Sequence, residues 1–169
     1  MTRELRLGVD IGRVIIGGGA SHPSGEDTAF FDGGTEEMLR TPAVTGAFEA
    51  LPGLVERFGG RVWLVSKCGE PVQRRTLAWL DHHGFYDRTG IPAGNVRFCR
   101  RRPDKAIHCR ELGITDFVDD RDDVLDALRG TVERRYLFGP QSRPAADGVT
   151  ATPDWPAVTA AVAALIATA

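Results

Sequence analysis

The chain is poor in cysteine, in lysine and in long apolar runs, and no sign of charge dominates it. Its three cysteines, Cys68, Cys99 and Cys109, are an odd number without CxxC spacing. They signal neither a disulfide framework nor a zinc site, and His108 does not complete the spacing of one. Neither the N-terminal MTRELRLGVD nor the apolar C-terminal segment from Trp155 to Ala169 has the length of a signal or bilayer-spanning segment. No membrane partner and a cytoplasmic location are therefore expected. With 21 basic and 23 acidic residues the net charge is −2. Non-specific binding to nucleic acid or to an acidic membrane needs a summed positive field that this balance does not supply. Lysine is the scarcest charge: only Lys67 and Lys105 are lysines, and the other 19 basic residues are arginines. A lysine that survives such a bias marks a position where a compact point charge serves better than a planar fork.

What is present argues for one folded domain. A hydrophobic content of 42% over 169 residues excludes a disordered chain and suffices for a single core. Leu5 to Asp10 reads as a buried strand that ends in an acid and feeds a glycine-rich loop, Gly17-Gly18-Gly19 to Gly33-Gly34. Phe48, Leu51, Val55 and Phe58 recur at helical spacing from Val44 onward, with Pro52 expected to kink or split that helix. Arg61 to Ser66 reads as a second strand, followed by a helix from Pro71 to His83 that Gly84 stops. Asn95 to Cys99 is a third strand, and Pro103 opens a helix that ends near Gly113. Thr115 to Val118 is a fourth strand running into Asp119-Asp120, which can cap a helix carrying Val124, Leu125 and Leu128. Glu133 to Phe138 is a fifth.

The organisation that follows is an α/β domain over residues 1–140, with a flap or minimal cap at 17–41. A loop occupies 141–155, and a helix at 156–169 docks on the same domain. Strands alternating with helices at such short intervals give right-handed βαβ units, hence a three-layer α/β/α, Rossmann-like fold around a parallel sheet of about five strands. Active groups in these sheets lie at the carboxyl ends of the strands. That rule selects Asp10, then Ser66-Lys67-Cys68, then Arg100-Arg101-Arg102 with Lys105, then Asp119-Asp120. A carboxylate nucleophile, a hydroxyl and an ammonium for phosphate oxygens, and further carboxylates for a hard cation are the parts needed to handle a phosphate with magnesium. The three arginines are candidate contacts for a phosphate or nucleotide, or else a solvated charge run. Asp122 and Asp123 read as acids favoured by a helix dipole, His82 and His83 as partners of the last carbonyls of their helix, and Cys68 as an inert loop thiol.

Four motifs in this order, LGVDIG, WLVSK, RPDK and FVDDRDD, resemble the haloacid dehalogenase-like superfamily of phosphohydrolases over residues 5–138, with VDDR wording similar to its deoxyribonucleotidase-like branch. The resemblance implies that Asp10 is an aspartyl nucleophile and a magnesium ligand, that the Gly12 carbonyl and Asp119 or Asp120 complete the metal site, and that Ser66, Lys67 and Lys105 bind the phosphoryl group. The substrate it implies is a phosphorylated small molecule or a nucleotide. One departure stands out. Phosphatases of this kind carry a general acid two residues after the nucleophile, where this chain has Gly12. General acid catalysis is worth about 10²–10⁴-fold. The alternative reading is therefore a catalytically degenerate domain that binds magnesium and a phosphorylated ligand or protein partner without turnover. The flap, with His22, Glu26, Asp27, Glu36 and Glu37, could supply the missing acid; the blander reading is an ordinary exposed loop.

Overall fold

In the computed structural model, which describes residues 3–17 and 33–168, LRLGVD forms the fully buried strand β1 (Leu7–Val9) in the interior of a six-stranded sheet. The others are β2 (Val62–Lys67), β3 (Val96–Cys99), β4 (Asp116–Asp119), β5 (Arg134–Phe138) and β6 (Val149–Thr152). The order is β3-β2-β1-β4-β5-β6, and every neighbouring pair is parallel. The chain moves outward from β1 through β2 to β3, returns to β4 on the other flank of β1, and then moves outward again. The strand order therefore reverses between β1 and β4, which opens a crevice at their carboxyl ends.

Side-chain alternation sends successive residues to opposite faces of the sheet. Leu64, Val118, Tyr136 and Phe138 join one core with Leu51, Leu54, Trp79, Leu80, Trp155 and Val158. These come from α2 (Ala47–Arg57), α3 (Glu70–His82) and α7 (Trp155–Ala167), while α4 (Phe85–Thr89) adds Phe85. Val65, Phe117 and Leu137 join a second core with Cys109, Val124 and Leu125, from α5 (Lys105–Leu112) and α6 (Asp122–Ala127). Both faces are covered, which is why the strands read as apolar runs rather than alternating ones. Gly8 is forced by this packing: a Cβ there would lie 2.5 Å from the Phe117 ring.

Three expectations are corrected. Pro52 does not split its helix; α2 runs unbroken through it, because Pro52 faces solvent while Leu51 and Leu54 lie in the core. The stretch expected to be a loop contains β6, so the sheet has six strands rather than five. Short, half-exposed and bounded by Gly148 and Pro153, this edge strand carries a weak sequence signal. His83 does not serve its own helix; its Nε2 lies 2.7 Å from the Leu39 carbonyl of α1 (Thr35–Leu39), and its ring stacks on Trp79. Among the described residues no helix is long and apolar enough to cross a membrane.

Candidate active site

β1 delivers Asp10 to the crevice, held by a backbone bond from its N–H to the Val118 carbonyl (3.0 Å). β4 ends in Asp119 one strand away. Between them stands Lys105, the first residue of α5, brought in by the short 3₁₀ turn Arg102–Asp104 that Pro103 favours. Its Nζ donates to Asp10 Oδ1 at 2.8 Å and to Asp119 Oδ2 at 2.7 Å. All three groups are buried, at 7%, 0% and 3% exposure for Asp10, Asp119 and Lys105. The Lys105 ammonium lies 5.7 Å from the centre of the Phe117 ring, the same ring that Gly8 admits. A glycine in β1 thus helps to seat the lysine of the site.

Asp119 is turned by its own chain: its Oδ1 accepts the Arg121 backbone N–H at 3.0 Å, just ahead of α6. The expected cap by Asp119 or Asp120 is not made: Arg121 stands at the cap position of α6, and no side chain caps the helix there. Asp120, less deeply buried, brings a third carboxyl. Asp10, Asp119 and Asp120 each offer an oxygen within 4.8 Å of the others.

The electrostatics follow from burying three carboxyls around one ammonium. Burial raises the Asp119 carboxyl and the Asp10 charge raises it further, while Lys105 opposes. For Asp120 burial again leads, followed by the charges of Asp10 and Asp119, with Arg13 opposing. Burial alone would favour a neutral Lys105 amine, but the two carboxylates it touches outweigh that cost and keep the ammonium charged. Acidic repulsion at a cluster of oxygen donors is what a hard divalent cation relieves, so these residues fit magnesium.

Ser66 is buried at the carboxyl end of β2, and its hydroxyl makes no hydrogen bond among the described residues. Lys67, the next residue, is exposed and stays outside the buried ion pairs. Gly12 lies in the tight loop after β1, bridged to Ile16. Arg100 and Arg101 are exposed; Arg101 forms a two-bond pair with Asp104 (3.1 and 3.0 Å) instead of facing the aspartates. Asp122 and Asp123 occupy the first turn of α6 as expected. Burial, with Cys99 beside it, pushes the Cys68 thiol up to about 11, and an inert thiol is the consequence. Among the described residues the three cysteines and His108 form no metal-binding group; His108 Nε2 lies 3.0 Å from the Phe98 carbonyl. Of the flap, Glu36 and Glu37 sit exposed in the first turn of α1, while His22, Glu26 and Asp27 lie outside the described residues.

Arg13 belongs to none of the four sequence motifs' acid, hydroxyl or lysine positions. It adopts a left-handed backbone (φ 61°) in the loop after β1, and its charge acts on Asp120. The only hint in the sequence is its place three residues after Asp10.

No protein-family model matches the sequence, and no curated protein does. Among solved structures, the chain is similar to a haloacid dehalogenase-like family hydrolase from Xanthomonas campestris, with a TM-score of 0.63 over 99% of this chain and 98% of that one, at 15% sequence identity. The fold is haloacid dehalogenase-like. In this fold the acids and the lysine of the four motifs meet at one point, the reversal of strand order.

Proposed function

We propose that the chain is a magnesium-dependent phosphohydrolase acting on a phosphate monoester. The observation that carries this reading is the buried Asp10–Lys105–Asp119 ion-pair cluster with Asp120 beside it, at the carboxyl edge between β1 and β4. Asp10, Asp119, Asp120 and the Gly12 carbonyl would hold the magnesium, which supplies charge neutralisation for the phosphate oxygens. Ser66 would donate its free hydroxyl to a phosphate oxygen, and Lys105 would offer its ammonium as a point charge while keeping Asp10 aligned. An Asp10 oxygen then attacks phosphorus, the bond to the leaving oxygen breaks, and an aspartyl-phosphate forms. Water attacks that phosphorus in turn, releasing phosphate and restoring the carboxylate.

With glycine at position 12, no side chain there protonates the leaving oxygen. Turnover then depends steeply on how well the leaving group bears negative charge, so aryl and acyl phosphates are better substrates than alkyl ones. The same glycine favours a second reading, in which the site binds magnesium and a phosphorylated ligand without turnover. Phosphate release with magnesium, measured on the native chain and on Asp10→Asn, tests both. Hydrolysis that falls by about 10⁴-fold or more in Asp10→Asn is expected. Undiminished release in that variant would sink the nucleophile, and release that appears only in Gly12→Asp would favour binding without turnover.

A further inference from the structure

The carboxyl edge carries positive charge that the reaction at Asp10 does not use. Lys67 ends β2, and Arg100 and Arg102 follow β3, in the segment that leads directly into Lys105. Two neighbouring arginines are already committed, Arg101 to Asp104 and Arg121 to Asp123 at 3.0 Å. Lys67 and Arg102 make no hydrogen bond or ion pair among the described residues. Arg100 reaches only Glu70, at 3.9 Å, with both side chains largely exposed. Such an exposed pair contributes little. Arg102 opens the 3₁₀ turn that delivers Lys105 to the site.

In the reading proposed above, Ser66 and Lys105 hold the single phosphate at Asp10 without these cations. A nucleic-acid strand would use such a rim, but it also stacks its bases on exposed aromatic rings. Among the described residues no Phe, Tyr or Trp is exposed, and the chain as a whole is not basic. A second phosphate on a compact molecule needs only the cations, and guanidinium groups match its oxygens bidentately.

We infer that the ligand of the Asp10 site is a small molecule bearing a second phosphate, which Lys67, Arg100 and Arg102 hold while the first lies against Asp10. This rests on the phosphate-handling reading above. The test compares fructose 6-phosphate with fructose 1,6-bisphosphate in magnesium, taking KM where phosphate is released and a calorimetric Kd where it is not. The bisphosphate is expected to bind about tenfold tighter or more. That ratio should collapse toward one in the double variant Arg100→Gln/Arg102→Gln and persist in Arg110→Gln, at the opposite edge of the sheet beside Arg6 and Gly113. Both altered rim residues lie outside the core, and an unchanged thermal midpoint confirms folding. A native ratio near one, or a ratio indifferent to the double variant, overturns the inference. So does a 5′-phosphorylated oligonucleotide that binds more tightly than the bisphosphate. A preference without phosphate release upholds the inference and removes hydrolysis; failure of both sugars to bind removes both.

Discussion

Strand β4 holds a buried aspartate at each end, and the two are built in opposite ways. Asp116, at the amino end, is saturated. Its carboxylate accepts two bonds from the Arg134 guanidinium (2.7 and 2.8 Å), one from the Tyr136 hydroxyl (3.0 Å) and one from Thr115. Asp119, at the carboxyl end, shares one ammonium with Asp10 and faces a further acid, Asp120. One cluster has its charge balanced by the chain itself. The other gathers more acid than base, leaving work for a cation. Burial and ion pairing are common to both, so neither property marks a functional site; the balance of charge inside the cluster does.

The largest effect expected from this contrast is on stability. Asp116→Ala takes away the acceptor of the Tyr136 hydroxyl and of two Arg134 nitrogens, leaving Arg134 only Glu133 at 2.8 Å, and removing one partner of a buried pair costs about 3–5 kcal/mol. The lower end is expected, because the Arg134 side chain is 20% exposed and can turn to water. Urea denaturation should register that loss with magnesium-linked stabilisation unchanged. A loss below about 1 kcal/mol would mean that Asp116 is not the structural end of the strand.

Next in size is the response to magnesium. At about 100-fold above its dissociation constant, a ligand of the folded state alone adds about 2.7 kcal/mol. Thermal denaturation with and without magnesium should show a rise of that order in the native chain and in Asp116→Ala, and none in Asp120→Asn. The cation-free Asp120→Asn protein should itself be more stable than native by about 1 kcal/mol, because a repelled acid has been removed from a site kept for function. If magnesium leaves the native transition unmoved, the carboxyl-end cluster is as complete as its counterpart and the contrast fails.

The two ends of β4 also differ in how far the sequence reveals them. Asp10, Lys105 and Asp119 were legible because each follows a strand or opens a helix, and the carboxyl-end rule converts chain order into proximity. Their positions could be read, but not that one ammonium bridges both acids. Asp116 gave no signal: its partner Arg134 is a register neighbour across β4 and β5, and Tyr136 lies two residues further along that strand. Register is set by the assembled sheet. Arg101 takes the other reading left open for its triplet, a charge in solvent, since it pairs with Asp104 within the same turn. β6 escaped because an exposed edge strand of VTAT lacks the apolar run that announced the buried strands. Arg13 escaped because only the folded loop puts an arginine into a left-handed backbone beside Asp120.

The smallest expected effect is a pH slope that belongs to the carboxyl end alone. Burial, and then the neighbouring carboxylates, lift Asp119 and Asp120 above the ordinary carboxylate range. From about pH 4, where an unfolded aspartate loses its proton, up toward neutrality, the folded state therefore binds more protons than the unfolded one. Stability must fall as pH rises through that window, the reverse of the behaviour of an acid held low by a salt bridge. Asp120 is partly exposed and Arg13 and Lys105 oppose the shift, so the drop expected is about 1 kcal/mol. Urea denaturation at pH 5 and at pH 7.5 in a chelator measures it. Saturating magnesium should flatten the slope, because a bound cation favours the charged carboxylates, and Asp120→Asn should reduce it. Stability that rises with pH in the chelator would show that Lys105 already balances the acids around it.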